Sequence, residues 1–495
     1  MTDETLTTTP PDPATGTAVR DRLAVRLLLI STFVVILNET IMGVALPRLM
    51  TDLDIPASTA QWVTTAFMLT MAVVIPVTGF AIQRFTTRAT FLAAMVLFSL
   101  GTAICALAPG FDLLITGRVV QACGTAIMLP LLMTTVMTVT PPESRGRTMG
   151  NISIVISVAP AIGPTVSGLI LSVLDWRWLF ALVLPIALGA LALGAIRLPN
   201  LTETRRARVD VPSVILSAVA FGGLVYGLSG LGEAATTGLS TVTWASLGAG
   251  AVSLVVFVLR QVRLQRVDDA LLDLRTFSSS NFAISVVVMA ISMMSLFGTL
   301  ILLPLYAQRV LELEALQTGL LLLPGGLLMG LLAPSVGRAY DRVGPRPLLV
   351  PGTIVVSAAG WGFTLLTATS SPWVMLACHV TLSAGLALIF TPLFTSALGS
   401  LPMRLYSHGS AMVGTVQQVA GAAGTALFVT VLTAQSATLA ADGAGVVGST
   451  AGGIHAAFLV GAGISLIAIP AAFFVRAAPT SHGAPVDESA AALTH

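Results

Sequence analysis

Apolar runs of about twenty residues recur along nearly the whole chain. They lie near 26–47, 60–82, 89–109, 112–137, 148–173, 178–197, 211–232, 241–259, 281–305, 316–337, 347–368, 372–398, 408–434 and 453–475. At about 1.5 Å rise per residue, each is long enough to cross a hydrocarbon core about 30 Å thick. Lipid offers no partner to backbone N–H and C=O groups, so such runs close their hydrogen bonds internally as helices. The fourteen runs predict an all-α polytopic membrane protein with a lipid bilayer as its surroundings. The chain is 55% hydrophobic and only 9% charged, against about 25% charged residues in soluble domains.

The arginines orient the runs. Arg20, Arg22 and Arg26 precede the first, Arg84 and Arg88 follow the second, and Arg145 and Arg147 follow the fourth. Arg205, Arg206 and Arg208 follow the sixth, and Arg260, Arg263, Arg266 and Arg275 the eighth. Arg338, Arg342 and Arg346 follow the tenth, Arg404 the twelfth and Arg476 the last. If every run spans, all of these lie on one side, and the other side holds Arg48, Arg177 and Arg309 among a larger number of acids. The positive-inside rule then predicts a multi-pass protein of the cytoplasmic membrane with both termini cytoplasmic. Residues 1–19 are polar and rich in Thr and Pro, with no apolar core of a signal peptide, and read as a disordered tail.

A formal net charge of +2 points to no nucleic-acid partner. Cys105, Cys123 and Cys378 all fall in apolar runs, without metal-ligand spacing, and read as free thiols. No P-loop, metal-ligand cluster or nucleophile–base pair with usable spacing is present in the sequence. The expectation is therefore a non-enzyme without metal or cofactor, and not one coupled to ATP.

An internal repeat organises the runs. Gly79, Arg84 and Arg88 recur as Gly337, Arg342 and Arg346, each 258 positions later, and the same offset carries Gly163 onto Gly421. Runs one to six thus repeat as runs nine to fourteen. The predicted layout is a tail at 1–24, a six-helix bundle at 25–198, a linker with two extra spans at 199–275, a second bundle at 276–476 and a tail at 477–495. Parallel repeats about an axis along the membrane normal are a transporter architecture, with the substrate site between the halves near mid-membrane.

Glu39 is an acid in the interior of an apolar run, and no other run has one there. An acid at a helix centre costs about 2.5–3.5 kcal/mol on insertion scales, so it marks function by default. Burial disfavours a charged carboxyl, which suits proton or cation handling; the alternative is a structural acid paired with arginine or a hydroxyl. His379 in the twelfth run lies at similar depth and is a candidate second titrating group, or a buried neutral imidazole. Asn38, Met42, Trp62, Gln121, Phe297, Gln417 and Gln418 are candidates to line a substrate cavity, with ordinary packing as the alternative. Pro160, Gly163 and Pro164 bend the fifth run and let a neighbour approach closely.

In the order they occur, Leu37–Pro47, Gly117–Gly124, Gly163–Gly168 and Trp176–Phe180 resemble the motifs of the major facilitator superfamily, in its fourteen-span drug:proton antiporter group of the EmrB/QacA type. The resemblance covers nearly all of residues 25–475 and departs at two places. Many relatives have Asp where Asn38 stands, and the superfamily's loop acid is Gln83 in the first repeat but Asp341 in the second. The resemblance implies alternating access driven by the proton gradient, with a small-molecule substrate and protons as partners and a monomer as the unit. It implies that runs one and four adjoin, bringing Arg118 near Glu39, and that the Gly163–Gly168 stretch marks an antiporter. It also makes Gly79, Arg84 and Arg88, with Gly337, Asp341, Arg342 and Arg346, two cytoplasmic latches; topogenic arginines are the alternative. At the repeat offset Glu39 falls on Phe297 and Arg118 on Leu376, so a need common to both halves does not explain this charge pair. The alternative is a static ion pair that fixes packing. The function expected is multidrug efflux of lipophilic or amphipathic, including cationic, compounds. The alternatives are a proton-coupled exporter or symporter of one physiological solute, such as a lipid or metabolite, and a non-transporting receptor or channel.

Overall fold

The computed structural model describes residues 13–201, 210–237 and 240–477. The outer parts of both expected tails, and Arg205, Arg206 and Arg208, lie outside the described residues. The helices are α1 (Pro13–Asp52), α2 (Ala57–Arg84), α3 (Thr87–Ala106), α4 (Phe111–Val139), α5 (Arg145–Val173), α6 (Trp178–Ala181), α7 (Val183–Arg197), α8 (Val211–Thr237), α9 (Thr241–Leu264), α10 (Ser280–Arg309), α11 (Ala315–Val343), α12 (Arg346–Phe363), α13 (Pro372–Gly399), α14 (Tyr406–Ala441) and α15 (Val446–Phe474). Among the described residues there is no strand, and thirteen helical segments are long and apolar enough to cross a membrane. The remaining expected span is α12, 18 residues long with Arg346 at its start.

Two boundaries differ from the reading of the apolar runs. α1 begins at Pro13, well inside the expected tail; proline suits a first helical turn, and no other follows before Pro47. The sixth run is broken at Leu182 into α6 and α7. Pro185 has no N–H to give the Ala181 carbonyl, so the helix is interrupted there.

Helices α1–α7 pack as one bundle and α10–α15 as a second. The bundles meet along two seams, α5 against α11 and α2 against α14, with α13 also reaching α5 and α4 reaching α14. Within the first bundle, α3 and α4 cross closely at Gly101, Gly117 and Gly124, where an added Cβ would overlap the facing backbone or the Cys105 sulfur. This crossing sets the height of the middle of α4, which carries Arg118. The inserted pair is asymmetric. α8 touches both α2 and α14, whereas α9 packs mainly on α8. Gly222 faces Val73 and Leu69 of α2, the Tyr226 ring lies 5.9 Å from that of Trp62, and Thr430 of α14 donates to the Leu231 carbonyl. The insert therefore lies over one seam.

Polar bonds tie the foot of the insert together and fix the segment that leads into the second bundle. Arg260 grips Asp210 with two 2.7 Å bonds, and they hold the Asp210 carboxyl down, to about 2. Fully buried Gln261 donates to Ser213 and accepts from the backbone N–H groups of Leu271 and Leu272. Arg275 then bonds Asp273 and Asp268 in the segment leading into α10, and the two carboxylates hold the guanidinium charged, above its ordinary range.

Candidate transport site and latches

Arg118 is fully buried in the first bundle. Its Nη1 donates to Gln121 Oε1 at 2.7 Å, one turn along α4, and Gln121 Nε2 donates to Thr102 Oγ1 of α3 at 2.7 Å. On the other side Nε donates to the Val63 carbonyl of α2 at 3.3 Å, and the guanidinium lies 3.9 Å from the centre of the Phe67 ring. Glu39 on α1 is half-buried and interacts electrostatically with Arg118. No ion pair within 4 Å joins them; the ion pairs among the described residues are Arg48–Asp52, Arg260–Asp210, Arg275–Asp268 and Arg275–Asp273. The cation and the acid thus act on each other across a gap, while neutral groups hold the cation. Phe67, Val63 and Thr102 had no signal in the sequence, because they reach the guanidinium or its partner only once α2 and α3 pack on α4.

The proline-containing stretch of α5 adjoins this pair. Thr40, next to Glu39, donates to the Leu37 carbonyl of its own helix at 2.9 Å and reaches the Ala159 carbonyl of α5 at 3.5 Å. A Cβ at Gly163 would overlap the Thr40 hydroxyl, so the glycine is what allows α1 and α5 to approach there. Pro160 and Pro164 lie inside α5 without ending it, and at Gly168 a Cβ would meet nothing within 4 Å.

Of the cavity candidates, Asn38, Met42 and Gln121 are fully buried, and neither amide atom of Asn38 has a partner. Trp62 is 40% exposed and faces the insert. Phe297 lies against Gly421 of α14. Gln417 and Gln418 are half-buried, with the Gln418 Nε2 unpartnered. His379 sits inside the second bundle, where its Nε2 donates to the Leu322 carbonyl of α11 at 3.1 Å, beside Gly325. Its partners are therefore those of the second bundle, unlike those of Glu39.

The two repeated loops divide their residues between two tasks. Gly337 and Gly146 meet backbone to backbone across the α5–α11 seam, and Gly79 meets Ser407, His408 and Ala411 across the α2–α14 seam. Asp341 accepts from the backbone N–H groups of Gly146 at 2.7 Å and Arg147 at 2.8 Å, in the first turn of α5. A carboxylate at a helix N-terminus is favoured by the helix dipole. Gln83, its counterpart, donates to the Arg404 carbonyl at 2.9 Å. The arginines face inward to their own bundles instead: Arg88 bonds the Ala195 carbonyl at the end of α7, and Arg346 bonds the Val475 carbonyl after α15 at 3.1 Å. Arg84 and Arg342 are exposed. The bonds Asp341 makes are therefore to a helix end rather than to an arginine side chain.

The Major Facilitator Superfamily model matches residues 28–425. The chain belongs to the Major Facilitator Superfamily. It is similar to the MFS-type transporter YcnB of Bacillus subtilis, 41% identical over 453 residues that cover 91% of this chain and 94% of that one. It is similar to the lincomycin resistance protein LmrB of the same organism, 38% identical and covering 92% and 96%. The multidrug resistance protein B homolog of Mycobacterium tuberculosis is 29% identical, over 84% and 78%. The crystal structure of the human organic anion transporter MFSD10 superposes with a TM-score of 0.64 at 15% identity, covering 94% of this chain and all of that one, which shows a shared fold. The chain is thus a multi-pass membrane transporter and not an enzyme.

Proposed function

We propose that this transporter exports lipophilic or amphipathic compounds, cationic ones included, in exchange for protons by alternating access. The observation that carries the reading is Arg118, buried in the membrane interior within electrostatic reach of Glu39 but not paired with it. A buried cation and acid held apart form a device that proton binding can change, since protonation removes the attraction at once. Protonated Glu39 lets the bundles change from outward- to inward-facing. Deprotonated Glu39 leaves a carboxylate available to a cationic substrate. The tight packing of both seams at the arginine-rich face fits a transporter closed toward the cytoplasm, with both termini on that side. In this reading the bundles are 25–198 and 276–476, the 199–275 insert is a separate unit, and the monomer is complete. Asn38, Met42, Phe297, Gln417 and Gln418 face the substrate, Gln121 holds Arg118, Trp62 joins the insert to the first bundle, the prolines of α5 support exchange, and His379 is a second proton site.

Similarity to a lincomycin resistance protein makes lincomycin the first compound to try. The test is uphill flux in proteoliposomes under an imposed pH gradient, with a broad compound panel behind lincomycin. Glu39→Gln keeps shape and hydrogen bonding but cannot titrate, and should be monodisperse and inactive in uphill export. Wild-type uphill flux in that variant would refute the role of Glu39.

A further inference from the structure

Phe67 lies outside every recognised motif, yet its ring forms one wall around Arg118. It is 1% exposed, and the guanidinium carbon lies 3.9 Å from its centre. One turn earlier on the same helix, the Val63 carbonyl accepts from Arg118 Nε. The charged and titratable groups that act on Arg118 are Glu39 from α1 and Cys105 from α3; α2 contributes the ring and the carbonyl, and α4 contributes Gln121. A ring face attracts a cation, most strongly where water is absent. The ring and the Glu39 carboxylate therefore compete for one guanidinium.

We propose that Phe67 is a positioning residue that parks Arg118 on α2, away from Glu39, and so sets the pH at which the transporter changes face. This rests on the reading of Glu39 as the coupling acid. While the cation rests on the ring, Glu39 gives up less attraction on taking a proton. When the ring loses its pull, Arg118 turns to the carboxylate, and more acid is needed to protonate it. The coupling also explains how α2 learns of the proton: Arg118 grips α2 at positions 63 and 67, and α2 borders α14 and α8.

The experiment follows the change of face by the distance between spin labels at Arg197 and Met403, exposed positions on the arginine-rich face of the two bundles. Cys123 and Cys378 are replaced in this background. The full chain is studied in lipid nanodiscs across a pH series, with no substrate needed. Phe67 is replaced by trifluorophenylalanine, which keeps the ring's shape and removes its attraction for a cation, and separately by Leu. In the parent, acid lengthens the distance. In both variants the midpoint falls by about 0.7–1.5 pH units, the equivalent of about 1–2 kcal/mol of cation–ring attraction at 1.36 kcal/mol per unit. Phe67→Tyr restores the parent midpoint. A merely structural ring predicts loss of yield or thermal stability in the Leu variant and an unmoved midpoint in the trifluoro variant, and that result overturns the proposal. Glu39→Gln separates the two failures. If its distance is insensitive to pH while the Phe67 variants keep the parent midpoint, the parking role alone is wrong. If Glu39→Gln responds to pH as the parent does, the coupling role of Glu39 is wrong and the parking proposal falls with it.

Discussion

Asp341 and Gln83 occupy equivalent places in the two repeats, yet they hold the halves together with different chemistry. The Asp341 carboxylate accepts two backbone N–H bonds of 2.7 and 2.8 Å at the start of α5. Asp341→Asn keeps one acceptor oxygen and turns an NH₂ toward the other donor. It loses one charge-assisted bond, worth about 1.5–3 kcal/mol, and the favourable end of the helix dipole, about 0.3–1 kcal/mol. Partial exposure of the site lowers the sum, so about 1.5–3 kcal/mol is the expected change, or about 10- to 150-fold in the balance between faces. Gln83→Ala loses one neutral bond of 2.9 Å, worth about 0.5–1.5 kcal/mol, or about 2- to 12-fold. Distances between labels at Arg197 and Met403 should show a clearly larger open population for Asp341→Asn than for Gln83→Ala at the same pH. Equal populations in the two variants would refute the idea that a charge on a helix end is the stronger latch.

Two further outcomes follow from the seams and the insert. Gly337→Leu places a side chain against the Gly146 carbonyl and should open the arginine-rich face by about 1–3 kcal/mol of overpacking, whereas Gly463→Ala, at a position with open space, should leave the label distance unchanged. The Asp210 carboxyl sits at about 2, below its unfolded value of about 3.9. The stabilisation by Arg260 is therefore complete above about pH 4 and is lost only as the pH falls toward 2. Arg260 is 38% exposed, so solvent screening leaves only a small part of it. Asp210→Asn should accordingly lower the melting temperature by the same small amount at about pH 5 and about pH 8; a loss confined to one of these would contradict the assignment.

The membrane spans were legible because a lipid core fixes their length and apolarity almost independently of tertiary contacts. The repeat was legible for a related reason: Gly79, Arg84 and Arg88 keep their spacing in Gly337, Arg342 and Arg346. What each repeated residue binds was not legible. Arg88 and Arg346 turn to the last helix of their own bundles, and Gln83 and Asp341 cross to the other. That difference depends on the direction of side chains at a helix end, which spacing along one chain does not encode. The surroundings of Arg118 were hidden more deeply. The motif resemblance implied that Arg118 lies near Glu39, but Phe67, Val63 and Thr102 reach the guanidinium or its partner only after α2 and α3 close on α4. The start of α1 at Pro13 was not legible because its first residues are polar and carry no apolar period, although a first-turn proline followed by a long proline-free stretch permits a helix.

The division of labour in the repeated loops bears on how the molecule can move at all. Alternating access needs bundles that keep their internal shape while the contact between them breaks and reforms. Arg88 and Arg346 serve the first need, since each satisfies a carbonyl at the end of its own bundle's last helix. Asp341 and Gln83 serve the second with bonds of modest strength at the far edge of each seam. Farther in, Thr134 meets Ser410 at 3.1 Å and Thr391 meets Ser153 at 2.7 Å across the two bundles. Neutral hydroxyl pairs of this kind contribute about 1 kcal/mol each, and each hydroxyl can also return to a carbonyl of its own helix when the bundles part. An interface of glycines, hydroxyls and one helix-end carboxylate thus closes the arginine-rich face through several modest contacts, each of which can break and reform as the bundles part.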